Sequence, residues 1–192
     1  MKKTTYLLTL IMITVATLSS CASKKEAAKA NEKAIGDIDI ELPCEVTNDK
    51  NHFRSSQMHN STNLSQSIKV AETKAKQSLA GLIQTTIKDV TEIYSKERNI
   101  ENASEFSETV DGLTRALIKQ TLQELNVVCK KTKQKPDGSY NTFVAFEVEK
   151  DVIRNGIDKK ISNEAKLRQD YDKMKFTETF NAEMEKLEAE QP

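Results

Sequence analysis

Three cysteines and two histidines are the residues whose types allow specific chemistry. Cys44 and Cys129 form an even pair once Cys21 is set aside, and such a pair can form a disulfide in an oxidising compartment. That bond would close a loop of about 85 residues and stabilise the fold by roughly 4 to 5 kcal/mol in the chain-entropy model. The alternative is two small buried hydrophobic side chains, and the sequence leaves both interpretations open.

The same two thiols, together with His52 and His59, provide the donor types of a tetrahedral zinc site. Structural zinc ligands usually come in pairs separated by roughly two to five residues, and these four lie further apart along the chain. We therefore predict no metal site, and we expect both histidines to be ordinary polar surface residues.

Cys21 has a different chemistry because of the residues that precede it. Lys2 and Lys3 begin the chain, an apolar stretch of about 13 residues follows, and the run Leu18-Ser19-Ser20-Cys21 ends it. This stretch is short for ~30 Å of hydrocarbon, which is typical of a leader removed on export. The arrangement resembles the lipobox of bacterial lipoproteins. The alternatives are an ordinary signal peptide and an uncleaved anchor.

The lipobox resemblance implies cleavage before Cys21 and attachment of a diacylglycerol and a fatty acid such as palmitate to that residue. Each buried methylene contributes about 0.8 kcal/mol, so two or three acyl chains hold a protein on a membrane almost permanently. Ala22 follows, where inner-membrane lipoproteins of enteric-type bacteria carry aspartate, and this favours the outer membrane. The leaflet, facing the periplasm or the cell surface, stays open.

Composition excludes some classes of partner and predicts the domain organisation. The 29 basic and 29 acidic residues cancel, so no basic field attracts nucleic acid. We predict a signal peptide at 1–20, a flexible tether or an alanine-rich helical spacer at 21–39, an α+β domain at 40–150, and a charged helical extension at 151–192.

Apolar periodicity predicts the elements of the domain. Steps of three and four from Leu64 to Val90 predict a long helix that begins after the cap residue Asn63 and continues to about Tyr94. A second helix is expected over 104–125. Residues 127–149 then alternate with period two around Pro136-Asp137-Gly138, which predicts a β-hairpin, and 52–58 is a candidate edge strand. The fold class is therefore α+β, with two long helices on a small antiparallel sheet of two or three strands.

The segment after Gly156 is highly charged, with a gap in its apolar positions between Ala165 and Phe176. We expect a long, exposed helix. It is either a solvated helix that packs on the sheet through one narrow stripe or an arm for self-association or for a partner.

Several segments together resemble the Lpp-twenty-type family of bacterial lipoproteins over about residues 40–150. These are Ile40-Glu41-Leu42-Pro43-Cys44, Phe53-Arg54-Ser55-Ser56, the helical run from Ala71 to Ala80, and the run from Asp137 to Ala145. The resemblance implies a small α+β unit without enzymatic activity. Ser55 and Ser56 depart from the family pattern, because members often have glycines there.

No catalytic or cofactor-binding motif occurs in the sequence. There is no Gly-x-Ser-x-Gly elbow, no phosphate-binding glycine loop and no His-Glu-x-x-His. We predict a non-enzymatic, lipid-anchored envelope lipoprotein that acts as an interaction or structural module toward an envelope protein, the cell wall or a second copy of itself. The alternative is a small-ligand carrier, whose apolar pocket would lie between helices and sheet. Its lining would comprise Leu79, Ile83, Leu113 and Val144.

Overall fold

The structure is a computed structural model that describes residues 42–189. The predictions for the signal peptide, for Cys21 and for the tether lie outside the described residues. The elements in chain order are β1 His52–Ser61, α1 Leu64–Glu97, α2 Ala103–Thr121, β2 Asn126–Gln134, β3 Tyr140–Glu149, α3 Lys150–Asn163 and α4 Lys173–Ala189. The predicted α+β class with a small antiparallel sheet is confirmed.

The sheet has three strands in the order β1-β3-β2, and β3 runs antiparallel to both neighbours. Successive side chains of a strand point to opposite faces. Val144, Phe146 and Val148 of β3 therefore belong to the core beneath the helices, whereas Phe143 and Ala145 form a second, smaller cluster on the other face. We call this second side the outer face of the sheet.

The predicted hairpin is confirmed, with β2 and β3 joined by a turn at residues 135–139. Gly138 has a φ of 83°, which an L side chain rarely adopts, and its N–H donates to the carbonyl of Lys135 at 2.9 Å. The Asp137 carboxylate accepts a hydrogen bond from the Ser139 N–H at 2.9 Å. Among residues 42–189, β1 and β2 are the two edge strands of this sheet.

Helix α1 lies across the sheet, and its cap was predicted correctly: the Asn63 side chain accepts a hydrogen bond from the Gln66 N–H at 3.0 Å. Ala71 and Ala75 are fully buried, so the helix approaches the sheet closely. Helix α2 ends at Thr121, four residues before the predicted end.

The C-terminal part differs from the prediction. Two helices, α3 and α4, replace the expected single exposed helix, and both contribute to the main core. Ile153, Ile157 and Ile161 of α3 are fully buried, as is Phe176 of α4. The expectation of one long, exposed helix was wrong, but the narrow apolar stripe considered in the sequence analysis is present in α3, where buried isoleucines recur every four residues among charged side chains.

The segment between α3 and α4 is fixed to α1 by Tyr94. The Tyr94 hydroxyl donates to the carbonyl of Asp170 at 2.9 Å and accepts from the N–H of Asp172 at 2.7 Å. Its ring packs edge-on against Phe176, with the centroids 5.4 Å apart. Burial raises the pKa of the Tyr94 phenol, so this side chain stays a neutral donor.

Helices α2 and α3 touch at Gly156, and this contact yields a first prediction. A Cβ added at Gly156 would lie 2.6 Å from Cδ1 of Leu117, whereas one added at Gly112 of α2 meets nothing within 4 Å. We expect Gly156→Ala to lower the free energy of unfolding by about 1 kcal/mol through overpacking. Gly112→Ala, the control, should raise it by about 0.5 to 1 kcal/mol. Urea denaturation measures both, and equal stabilisation by the two variants would contradict the close α2–α3 contact.

Candidate functional site

The two remaining cysteines meet on the outer face of the sheet. Cys44 and Cys129 form a disulfide with a Cα–Cα distance of 5.4 Å. Cys129 lies on β2 opposite Ala145 of β3, beside a bulge after Val127, and Cys44 packs over Phe143 and Ala145. The bond therefore fixes residues 42–48, which precede β1, across the hairpin that follows α2.

A charged network holds the other end of this N-terminal segment. Arg54 of β1 pairs with the Asp49 carboxylate at 2.6 Å and, through Nε, with Glu147 of β3 at 2.9 Å. The Arg54 N–H donates to Asn48 Oδ1 at 2.6 Å. The hydrogen bond to Glu147 is the main cause that raises the pKa of the Arg54 guanidinium. Arg54 thus links the N-terminal segment, through Asp49, to β3, through Glu147.

Asp49 receives more hydrogen bonds than any other carboxylate in this network. Its Oδ1 accepts from the N–H groups of Asn51 and His52, each at 2.8 Å, and lies 3.2 Å from His52 Nδ1. Burial alone would raise the pKa of Asp49, but these hydrogen bonds and the Arg54 guanidinium together lower it to about 2. The carboxylate is 39% exposed, so solvent screens part of this effect.

This low pKa predicts a pH dependence of stability. A carboxylate whose pKa is lower in the folded than in the unfolded chain stabilises the fold above its ordinary value of 3.8, and the contribution is lost as the pH falls toward about 2. We expect Asp49→Asn to lower the free energy of unfolding by about 1 kcal/mol at pH 7, after allowing for screening. The difference from the wild type should shrink as the pH falls below about 4 and vanish only below about pH 2.

Urea denaturation at several pH values checks this expectation. Glu178→Gln is the matched control, because its partner Lys175 lies on an exposed turn of α4 and that pair is solvated. The control should leave stability unchanged at every pH. If the free energy of unfolding of Asp49→Asn stayed below that of the wild type by the same amount from pH 7 to pH 2, the lost interaction would not depend on the charge of Asp49.

The backbone of β1 alternates between bonded and open positions. The Lys150 N–H donates to the Asn51 carbonyl at 2.7 Å, and in an antiparallel pair every second residue bonds to the neighbouring strand. The odd-numbered residues of β1 therefore bond to β3. The even-numbered residues direct their N–H and C=O groups away from β3. Residues 48 and 49 cap the outward N–H groups of Arg54 and His52. Within residues 42–189, nothing caps the N–H groups of Ser56 and Met58.

A cleft of about 530 Å³ lies beside this open half of β1. Its walls come from residues 42–48, from β1, from the exposed face of α1 and from the outer face of the sheet. Two exposed apolar side chains line this cleft: Leu42 and Met58 expose 52% and 45% of their surface. The residues that line it are Leu42, Pro43, Glu45, Val46, Asn48, Arg54, Ser55, Ser56, Gln57, Met58, Ser78, Leu82 and Phe143.

The four residues considered for zinc do not come together. Cys44 and Cys129 are oxidised and offer no thiolate, His52 contacts Asp49, and His59 stands at the opposite end of β1. In the part of the chain that the structure describes, no group of three or more His, Cys, Asp or Glu side chains is placed to hold a metal ion.

Sequence reasoning missed the roles of three charged residues near the site. The Arg54–Glu147 pair joins residues 93 positions apart, and only the β1–β3 register brings them together. Lys150 is 3% exposed, and its ammonium lies 5.3 Å from the centroid of the Phe53 ring. Burial lowers the pKa of Lys150. Its position at the start of α3, directly after a strand, carried no signal of burial.

Comparison with known proteins identifies no relative: no protein-family model, no curated protein and no solved structure matches this chain. The resemblance to the Lpp-twenty-type family therefore stays a prediction. Among residues 42–189, no helix combines the length and the apolar character needed to cross a bilayer.

Proposed function

We propose that this chain is a non-enzymatic lipoprotein of the cell envelope, anchored by lipid on Cys21, whose domain acts as an interaction or structural module. The Cys44–Cys129 disulfide is the observation that carries the proposal. Disulfides persist in oxidising compartments outside the cytoplasm, so this bond supports export, as does the leader before Cys21. Ala22 favours delivery to the outer membrane.

The chemistry of the described surface supports a structural role over catalysis. In the network beside the cleft, the Arg54 guanidinium pairs with the carboxylates of both Asp49 and Glu147, so none of these three groups is left without a partner. A catalytic acid, base or nucleophile instead needs a free position in a cleft with a substrate site beside it. The network is better suited to holding the N-terminal segment on β1.

The carrier alternative requires an apolar pocket between helices and sheet. Leu79, Ile83 and Val144, which would line it, are fully buried members of one core cluster, and Leu113 packs against that cluster. Side chains fill the place where the ligand would bind. The interaction module is therefore the function that we favour.

Lipid attachment is tested by expressing the full chain with labelled palmitate and separating membranes from the aqueous fraction. The wild type should take up label and sediment with membranes, whereas Cys21→Ser should do neither. Ser20→Ala is the matched control, because it keeps a small residue before the cysteine, and it should behave as the wild type does. An unlabelled wild type, or a Cys21→Ser variant that still matures and sediments with membranes, would refute the proposal.

The module and the carrier are separated by native mass spectrometry of the detergent-purified protein. A defined oligomer, or a complex of fixed stoichiometry with an envelope protein, supports the module. A small molecule retained in proportion to the protein supports the carrier instead. Bound zinc would contradict the prediction that the chain holds no metal.

A further inference from the structure

Strand β2 is the edge of the sheet that is most exposed to solvent. Every residue of β2 except Cys129 is exposed. The Lys135 N–H donates to the Ser139 carbonyl at 2.8 Å, so the odd-numbered residues from Lys135 back to Cys129 bond to β3. Lys130 and Thr132 therefore direct their backbone N–H and C=O groups away from β3, where the described part of the chain places no other strand.

Positive charge is concentrated on this edge. The basic and acidic residues of the whole chain balance at 29 each, but residues 126–139 contain one acidic residue, Asp137, and four lysines. The lysines are Lys130, Lys131, Lys133 and Lys135. A strand with this composition attracts a partner of opposite charge.

Two of these lysines have no carboxylate partner. Lys130 pairs with Glu72 of α1 at 2.7 Å, so its charge is already balanced inside the fold. Lys131 and Lys133 lie opposite Phe143 and Asn141 of β3, which places them on the outer face of the sheet, away from α1. Within residues 42–189, no carboxylate pairs with either of them.

We propose that β2 binds an extended, acidic segment of another protein, which adds to the sheet as a fourth strand. The backbone of that segment would bond to the outward N–H and C=O groups of Lys130 and Thr132. Acidic side chains at every second position would lie about 5 Å from Lys131 and Lys133, as directly opposite residues do in a sheet. The proposal rests on the proposed interaction module and names its class of partner.

The competing occupant is an edge strand of a second copy. Pairing of two β2 strands would bring lysines of both copies together, and like charges on neighbouring strands destabilise a sheet. The other edge strand, β1, contains no acidic residue. Lysines on an edge strand oppose such self-association, whereas the same charges favour an acidic strand. A partner from another protein therefore fits better.

A synthetic peptide tests the proposal on the mature full chain in detergent micelles. The probe is as long as β2, nine residues, and alternates Glu with Val and Thr. With saturating peptide, the N–H groups of Lys130 and Thr132 should exchange hydrogen at least about tenfold more slowly than without it. Those of Ser56 and Met58, on the opposite edge, should not change.

The affinity for a fluorescently labelled form of the peptide, measured by anisotropy, tests the role of charge. K131E/K133E should bind at least about tenfold more weakly, because attraction is replaced by repulsion. K88E/K96E is the matched control: it makes the same change in net charge at two exposed positions further along α1, and it should bind as the wild type does. Slow exchange at Val90, a fully buried residue of α1, shows that each variant is folded.

A peptide with every amide N-methylated keeps the acidic charges but cannot donate backbone hydrogen bonds. It should bind at least about tenfold more weakly than the unmodified peptide. Equal binding of the two peptides would overturn the proposal, because charge alone would then suffice. Equal weakening by K131E/K133E and K88E/K96E, or protection of Ser56 and Met58 in place of Lys130 and Thr132, would also overturn it.

A further result would identify the competing occupant. If Lys130 and Thr132 are protected without peptide and lose this protection on dilution, a second copy covers β2 and the proposal is wrong. Palmitate labelling at Cys21 and native mass spectrometry test the proposed lipoprotein and its interaction role without reference to β2. A peptide that fails to bind therefore refutes only the assignment of β2 as the binding edge.

Discussion

Removal of the disulfide by the double substitution C44S/C129S should lower the free energy of unfolding by about 4 kcal/mol. The bond joins residues 85 positions apart, and a loop of that length carries a large closure entropy in the unfolded chain. Residues 42–48 should also come away from Phe143 and Ala145, because the bond holds them on the outer face. Urea denaturation of the purified chain measures the loss.

Reduction of the wild type provides a matched comparison for this prediction. A thiol reductant should destabilise the wild type by a similar amount and leave C44S/C129S unchanged. The same denaturation midpoint with and without reductant in the wild type would mean that the two cysteines are not joined. The joining of the two thiols also underlies the proposed export.

Truncation of Ile157 to alanine should lower the free energy of unfolding by about 3 to 4 kcal/mol. This side chain is fully buried in the main core, and deletion of three buried carbons removes apolar contacts and leaves a cavity. The result tests whether residues 150–189 are part of the same core as the sheet. Thermal or urea unfolding followed by circular dichroism gives the value.

Val152→Ala is the control within the same helix. Val152 is 49% exposed, so its truncation should change stability by less than about 0.5 kcal/mol. A small effect of Ile157→Ala, similar to that of the control, would show that α3 does not pack into the core. The domain would then end near residue 149, as the predicted division into a domain at 40–150 and a charged helical extension at 151–192 implies.

The fold could be predicted from the sequence where a local pattern decides the structure. Asn63 followed by regularly spaced apolar residues specifies where α1 begins and which face it buries. Gly138 in the turn and the alternation of Val144, Phe146 and Val148 specify the hairpin. These signals involve residues that are close in the chain, so one sequence is enough to find them.

Helix was predicted in the C-terminal part, but its burial could not be, because that burial depends on distant residues. The buried isoleucines of α3 fill a space that exists only once α1, α2 and the sheet are assembled. The apolar gap before Phe176 is the segment that Tyr94 holds through its hydroxyl group. Periodicity within one segment does not reveal either contact.

The candidate site was predicted only in part, for a similar reason. Sequence reasoning identified Cys44 and Cys129 as a possible pair but could not decide between a bond and two buried thiols. The decision depends on the β2–β3 register and on the path of residues 42–48 over Phe143. The cleft at β1 depends on the order of the strands in the sheet. The sequence predicted no order and left the number of strands open at two or three.

The most direct test of the account is the mass of the N-terminal peptide of the mature protein. Trypsin treatment of protein extracted from membranes should release Cys21-Ala22-Ser23-Lys24 carrying a diacylglyceryl thioether and, in organisms that add it, an amide-linked fatty acid. Detection of that lipopeptide by tandem mass spectrometry is the predicted result. A mature chain that starts elsewhere, or an N-terminal peptide with unmodified Cys21, would contradict the proposed anchor.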